Sequence, residues 1–425
     1  MHRLTCTALG YKLLFALVVI AVFGLFSSEA ADLATIHLAG KIARDAEVGL
    51  AVLAPERLYA AYWVESKRRQ PWQIVVYEFN VRTGKVVAQS ELDKAEPLRS
   101  RDGDVIQTSV RLSTSPDGSM LLCTTLEGGP LRKVWTLSSD DLHVLSGRTI
   151  SSDENLLGFT RNGDVRLLRI QSGGTFGQEI DSATVLDLSA SSLDKVVSER
   201  TVRFQEPVWR LIAVGADDLL WALDERPSSD REPRIAVYKL ESGELIATHD
   251  VSLSEAQVGA PSTEPRPRGS ALPAPTSIPQ PGLSLDAPQL AQMMGTSQAV
   301  LGVIHQSAKQ WKAWSRLVRI GVSRKQVAWS SIVSDCNLLL DSIDRSGKMV
   351  VGTCDLVGRS ELDQYAIKKS DAVFISTDTG SIVAVVPLNT RMSSLSFAID
   401  ATEGPAVAAI YDRPATVRVL SVPRK

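Results

Sequence analysis

From about residue 48 to its end the chain repeats one small pattern: a polar turn, an apolar strand, a variable connection, a second apolar strand, a tight turn and a third strand. The turn-then-strand half reads SPDGSMLLCTT at 115–125, SDENLLGFT at 152–160, GADDLLWAL at 215–223, DRSGKMVVGTC at 344–354 and ATEGPAVAAIY at 401–411. The strand-turn-strand half reads IVVYEFNVRTGKVVAQSEL at 74–92, IAVYKLESGELIATHDV at 235–251 and AVFISTDTGSIVAVVPL at 372–388. The runs are short, rich in Val, Ile, Leu and aromatics, and bounded by Gly, Asp, Ser and Pro, which is the pattern of strands. Brief helical patterns at 192–199 and 286–294 are the exceptions.

A unit of this size makes one small antiparallel sheet, which cannot bury both of its faces alone. Stacking several such sheets around an axis gives each face a partner and leaves few long edges. The expected fold is therefore all-β: a single β-propeller of about seven four-stranded blades, with six or eight tolerated by the irregular spacing. Two stacked β-sandwiches are the architectural alternative. Ala34 to Leu38 is free to complete the last sheet beside Thr416 to Ser421, closing the ring with an N-terminal strand.

The first 30 residues read differently. His2, Arg3 and Lys12 precede an apolar run from Leu13 to Phe26, followed by Ser27-Ser28-Glu29-Ala30-Ala31. That order is the signature of a secretory signal peptide, and the run is shorter than the roughly 20 residues of a membrane-spanning helix. The expected organisation is a signal peptide over 1–30, cleaved after Ala30, and a propeller over 31–425 that keeps no stable membrane span. No Cys follows the apolar run to carry a lipid, and no Asn-x-Ser/Thr sequon occurs, which favours a periplasmic or extracellular bacterial setting. Within the propeller, residues 261–288 carry a dense set of prolines that no central strand accommodates. The segment is expected to be an inserted loop between the fourth and fifth units.

Cys336 and Cys354 flank CNLLLDSIDRSGKMVVGTC, two apolar strands around an Asp344 to Gly347 turn, so a hairpin disulfide between them is expected in an oxidising compartment. Cys123 reads as a buried apolar filler. The whole chain has 46 Lys plus Arg against 48 Asp plus Glu. The basic clusters, such as Lys67 to Arg69, are short and scattered, so no nucleic-acid partner is expected. His37, His143, His249 and His305 stand apart from one another, and no metal, phosphate-binding or nucleophile motif occurs. Asp117, Asp153, Asp217, Asp218 and Asp344 sit where turn chemistry accounts for them. No catalytic, cofactor-binding or metal residue is assigned. The loop that contains Lys67, Arg68 and Arg69 and ends at Trp72 is the strongest candidate for a binding role.

The copies YEFNVRTGKVVAQ, VYKLESGELIAT and FISTDTGSIVAVV, with Thr83-Gly84, Ser242-Gly243 and Thr379-Gly380 at their turns, resemble the repeats of the YVTN-type and quinoprotein-like bacterial β-propellers. The resemblance implies the fold. Where quinoprotein dehydrogenases carry a repeated Trp beyond the turn, this chain has Ala88 and Ala247, and no cofactor is expected. The functional expectation is an exported, noncatalytic propeller that binds or scaffolds an unknown protein or glycan partner. The alternative is a propeller enzyme, a lactonase-like hydrolase or degenerate quinoprotein oxidoreductase, with a site assembled at the central channel.

Overall fold

The computed structural model describes residues 30–423 except 43–46, 54, 66–71, 96–108, 127–131, 152, 171–179, 209, 215–218, 225–233, 251–288, 296–298, 309–311, 322–326, 335–336, 360–364, 390–394 and 403. The described residues contain strands and no helix, and the strands form seven four-stranded sheets.

β1 (Ala31–His37) lies outside the order of its sequence neighbours. The first sheet in chain order is β2 (Gly49–Leu53), β3 (Arg57–Val64), β4 (Trp72–Asn80) and β5 (Val86–Ala95). The second is β6 (Ser109–Thr114), β7 (Met120–Leu126), β8 (Arg132–Ser138) and β9 (Val144–Ile150), and the third β10 (Glu154–Phe159), β11 (Val165–Ile170), β12 (Ile180–Ser189) and β13 (Ser192–Val208). The fourth is β14 (Arg210–Val214), β15 (Leu219–Asp224), β16 (Arg234–Lys239) and β17 (Leu245–Asp250). The fifth is β18 (Gln289–Gly295), β19 (Ala299–Ala308), β20 (Lys312–Gly321) and β21 (Val327–Ser334). The sixth is β22 (Asn337–Ile343), β23 (Met349–Arg359), β24 (Tyr365–Ser376) and β25 (Ile382–Pro387). The seventh is β26 (Ser396–Asp400), β27 (Ala406–Arg413) and β28 (Thr416–Val422), with β1 antiparallel to β28 from Ala31↔Ser421 to His37↔Thr416.

The sheets are consecutive antiparallel meanders, and their apolar residues sit between one sheet and the next. Tyr59, Trp63 and Val76 of the first sheet pack with Leu121 and Trp135 of the second. Leu122 and Val134 of the second pack with Val165 and Leu186 of the third, while Leu168 and Val185 of the third pack with Leu220 and Tyr238 of the fourth. Phe374 and Val351 of the sixth meet Ile399 and Ile410 of the seventh, and Leu58, Tyr62 and Phe79 of the first meet Ala409 and Val419 of the seventh. Successive strand residues point to opposite faces, so Leu121 and Leu122 serve two different interfaces. Burying both faces of the first, second, third, sixth and seventh sheets in this way, the sixth also against Leu317 of the fifth, is propeller packing, not that of a two-layer sandwich. The chain is a single β-propeller.

At the axis the innermost strands run parallel. Glu47, just before β2, bridges Ser109 of β6 in the parallel sense, and β2 packs against both β6 and β26. Gly49 is needed there, because a Cβ on it would lie 2.8 Å from the Val110 carbonyl oxygen.

Two expectations are corrected. Residues 192–199 open the long outer strand β13, and 289–294 fall in β18. In β13, Val202 and Phe204 are buried against the fourth sheet while Val196 and Val197 are exposed, so packing between sheets overrides the weak helical period.

Candidate functional site: the two faces of the ring and its channel

With the inner strands parallel and every sheet a meander, the connections sort onto two faces. Turns from first to second strand and from third to fourth emerge on one face; connections from second to third strand, and from sheet to sheet, emerge on the other. The first face is made of turns no longer than five residues, such as 81–85, 115–119, 240–244, 344–348 and 377–381. The strand ends that flank every longer stretch of sequence between strands, 38–48, 65–71, 96–108, 171–179, 225–233, 251–288 and 388–395, lie on the second.

The tight-turn face is fixed by repeated local chemistry. Ser115, Thr160 and Asp344 each pair backbone groups across a turn whose glycine, Gly118, Gly163 or Gly347, has positive φ and donates its N–H back to that residue. Asp117 accepts from the Ser119 N–H at 3.0 Å and Asp344 from the Met349 N–H at 2.7 Å, so these carboxylates are turn caps. Hydrogen bonds to Ser115 and Ser119 hold Asp117 below the ordinary carboxylate range.

Of the residues singled out in the sequence, Lys67, Arg68 and Arg69 lie outside the described residues, as do 1–29, the proline-rich 261–288, Cys336, Asp217 and Asp218. Trp72 opens β4, half-buried, and packs against the cluster between the first two sheets that holds the buried Trp63. The strand ends that flank 65–71 and 251–288 share the long-connection face. Cys354 is disulfide-bonded and lies opposite Leu338 in the β22–β23 hairpin. Cys123 is a free, fully buried thiol whose pKa burial pushes up. His37 and His143 are exposed on different sheets, and among the described residues no three His, Cys, Asp or Glu side chains gather as metal ligands. No described helix is long and apolar enough to cross a membrane.

The channel holds a group that local motifs did not reveal. In β22, Leu338 and Leu340 are buried against the fifth and sixth sheets, while Leu339 and Asp341 are exposed. Asp341 is the extra residue of a β-bulge, since Leu340 pairs with Gly352 and Ser342 with Val351. Bulges re-aim a side chain away from the regular pleat. Related irregularities in β10, β14 and β18 fall at Leu157, Ile212 and Ala291, so Asp341 alone places a charge at this position.

The surroundings of Asp341 come from across the ring: it accepts a hydrogen bond from the Phe397 backbone N–H of β26 and feels the charges of Arg111 on β6 and of Glu47 before β2. Groups from the sixth, seventh, first and second sheets meet only near the axis. Desolvation is the largest influence on the carboxyl and, with Glu47, outweighs Arg111 and Phe397, raising its pKa to about 6. A side chain both water-accessible and strongly desolvated is what a narrow wet channel with protein walls produces.

An arginine links three of the sheets at their turns. Arg345, on the turn after β22, donates from Nη2 to Asp400 Oδ2 at 3.2 Å and to Thr402 Oγ1 at 3.0 Å on the seventh sheet. Its Nη1 stands over Gly118 of the second sheet, where an added Cβ would be 2.5 Å away. Arg345 thus ties the sixth, seventh and second sheets on the tight-turn face.

Other buried charges are structural ties. Arg166 holds Asp187 through two bonds of 2.6 and 2.9 Å within the third sheet, with Ser198 and Arg200 on the same carboxylate. Arg57 bonds Glu78 at 2.7 Å in the first sheet and reaches Asp140 and the Ser139 carbonyl in the second. Arg418 joins Asp412 to the Pro387 carbonyl of the sixth sheet.

No protein-family model matches the chain, and no curated protein matches it in sequence. Among solved structures it is similar to Raptor of Chaetomium thermophilum, 8% identical with a TM-score of 0.49 over 95% of this chain and 30% of that one, so it spans under a third of that protein. It is similar also to the Dos1 propeller (8% identity, TM-score 0.46, 92% of this chain and 95% of that). A third is the Cps50 (Swd1) β-propeller domain of Myceliophteria thermophila (10% identity, TM-score 0.47, 92% of this chain and 99% of that).

Proposed function

We propose that the protein is an exported binding or scaffolding propeller that presents its long-connection face to a protein or glycan partner. The observation that carries this reading is the asymmetry of the two faces: one is built of short turns set by their own capping chemistry, and every stretch of more than five residues between strands is flanked by strand ends on the other. In this reading residues 1–30 are a leader removed on export, Cys336 and Cys354 form the disulfide, and 261–288 is an insertion on the binding face. The seven sheets are seven blades, closed by β1, in the manner of the YVTN-type and quinoprotein-like propellers. The near-balance of charge argues against a nucleic-acid partner.

The test is partner capture by the mature protein from an envelope extract. Replacing 65–71 or 225–233 with a short Gly-Ser turn abolishes capture, and replacing the tight turn 240–244 with another of equal length leaves it. Capture indifferent to every long-connection replacement overturns the reading.

A second reading, a propeller hydrolase, is favoured by one observation, the bulged Asp341 facing Arg111 across the channel. Turnover of a lactone panel that vanishes in Asp341→Asn is its test.

A further inference from the structure

We propose that Asn162 is a site of non-enzymatic covalent modification, deamidation to aspartate and isoaspartate, and that the tight turn around it confines the reaction to molecules in which that turn has opened. The inference is independent of the partner-binding reading, because it concerns a turn on the opposite face.

Three observations carry it. Of the asparagines at 80, 155, 162, 337 and 389, Asn162 alone is followed by glycine, whose backbone nitrogen, with no side chain beside it, is the least hindered nucleophile an asparagine can meet. Asn162 is exposed at the tip of the β10–β11 turn, and its carboxamide takes no hydrogen bond. The residues in the same position of two sister turns are tied down. Asp117, before Gly118, accepts from Ser115 Oγ at 2.6 Å and from the Ser119 N–H at 3.0 Å, and Ser346, before Gly347, donates its N–H to Asp344 Oδ2 at 3.0 Å. The third observation is the turn itself: the Gly163 N–H donates to the Thr160 carbonyl at 3.0 Å, the Thr160 N–H to the Asp164 carbonyl at 2.7 Å, and the Asp164 N–H to Thr160 Oγ1 at 3.1 Å.

The chemistry needs only water. The Gly163 nitrogen gives up its proton and attacks Asn162 Cγ; the N–Cγ bond forms, the Cγ–Nδ2 bond breaks, and ammonia leaves with that proton. Water then opens the succinimide ring at either carbonyl, giving aspartate or isoaspartate. While the Gly163 N–H is bonded to the Thr160 carbonyl the nitrogen keeps its proton, so the reaction waits for the turn to open. Isoaspartate routes the main chain through the side-chain methylene and lengthens it between Thr160 and Gly163, so the bonds of the turn lose their register. Gly163, with φ of 85° and Met120 Cε of the second sheet 3.1 Å from where its Cβ would stand, has little room to adapt. A molecule that has opened here and reacted does not regain the original turn.

The experiment incubates the mature protein at neutral pH, folded in buffer and unfolded in urea, and measures aspartate and isoaspartate at 162 by peptide mass spectrometry. The unfolded chain is expected to convert at least tenfold faster, with a ratio that matches the protection of the Gly163 amide in hydrogen–deuterium exchange. Thr160→Val, which removes the acceptor of the Asp164 N–H, speeds conversion of the folded protein about threefold or more and leaves that of the unfolded chain unchanged. Should Thr160→Val not fold, the match between conversion and exchange in the parent decides alone. No conversion at 162 in the unfolded chain, equal rates in the folded and unfolded protein, folded conversion faster than exchange allows, or an unchanged rate in folded Thr160→Val each overturns the proposal.

Discussion

The Asp341 carboxyl holds its proton to about pH 6, chiefly through desolvation, whereas in the unfolded chain it ionises near its ordinary value of about 4. The folded value is the higher one, so the cost to stability is absent at low pH, develops as pH rises from about 4 to about 6, and is complete above that. Asp341→Asn removes it. The variant should be more stable than the parent at pH 8, by about 1 kcal/mol once solvent screening of an exposed side chain is allowed for, and equal to it at pH 4. Urea denaturation at the two pH values measures the difference. Asp187 has the opposite sign. Burial alone would raise its pKa, but the hydrogen bond and charge of Arg166, with Ser198 and Arg200, reverse that and hold it low. Its stabilisation is therefore present above the ordinary carboxylate range and is lost as pH falls through the lowered value. Asp187→Ala removes both of the bonds that Arg166 makes to this carboxylate, together with those of Ser198 and Arg200, and should cost about 3 kcal/mol at pH 7, with a shallower acid limb in the denaturation profile.

At the scale of turns and strands, the third-to-fourth strand turns share one geometry. Gly84, Gly243 and Gly380 stand at its left-handed position with φ of 65°, 70° and 71°. A Cβ on Gly84 meets nothing within 4 Å, whereas one on Gly243 collides with the Arg203 carbonyl of the neighbouring sheet. Gly84→Ala should cost about 1 kcal/mol, for the backbone angle alone, and Gly243→Ala about 3 kcal/mol, for angle and collision together, by chemical denaturation. The Thr-Gly and Ser-Gly pairs made these turns legible in the sequence. The equivalent turn of the second sheet was not legible, because Leu142 takes the left-handed position at φ 58°. Leu142 is buried between the first two sheets, and that burial offsets the strained angle. Leu142→Gly should therefore lose about 1–2 kcal/mol net. The channel was illegible for a different reason: Glu47, Arg111 and Asp341 are far apart in sequence, each lies in an unremarkable strand context, and the bulge that aims Asp341 is a matter of pairing register. Another regularity also lies in register alone. The outer strands of the first, second, fourth, fifth and sixth sheets are bulged just after the turn, at Val87, Leu145, Ile246, Ala328 and Val383, and β13 is bulged at Val197. Bulged edges are poor templates for pairing with another chain, which suits a fold whose every sheet would otherwise expose a long outer strand.

Across the whole molecule, the repeats dictated an all-β ring because each four-stranded unit needs a neighbour on both faces, and the interfaces from Leu121 and Leu122 to Ile399 and Leu420 provide them. The seventh sheet obtains its outer strand from the opposite end of the chain, through β1 on β28, while Leu58, Tyr62 and Phe79 pack the first sheet onto the seventh. A closed ring distributes stability evenly, and an open one frays from its ends. The decisive measurement is hydrogen–deuterium exchange on the mature protein, comparing peptides from β1 with those from β28 and β2. A closed propeller predicts that amides of Ala31–His37 exchange as slowly as those of Thr416–Val422, with β2 equally protected. Complete exchange of β1 within seconds, while the other sheets stay protected, would contradict closure of the ring by this strand.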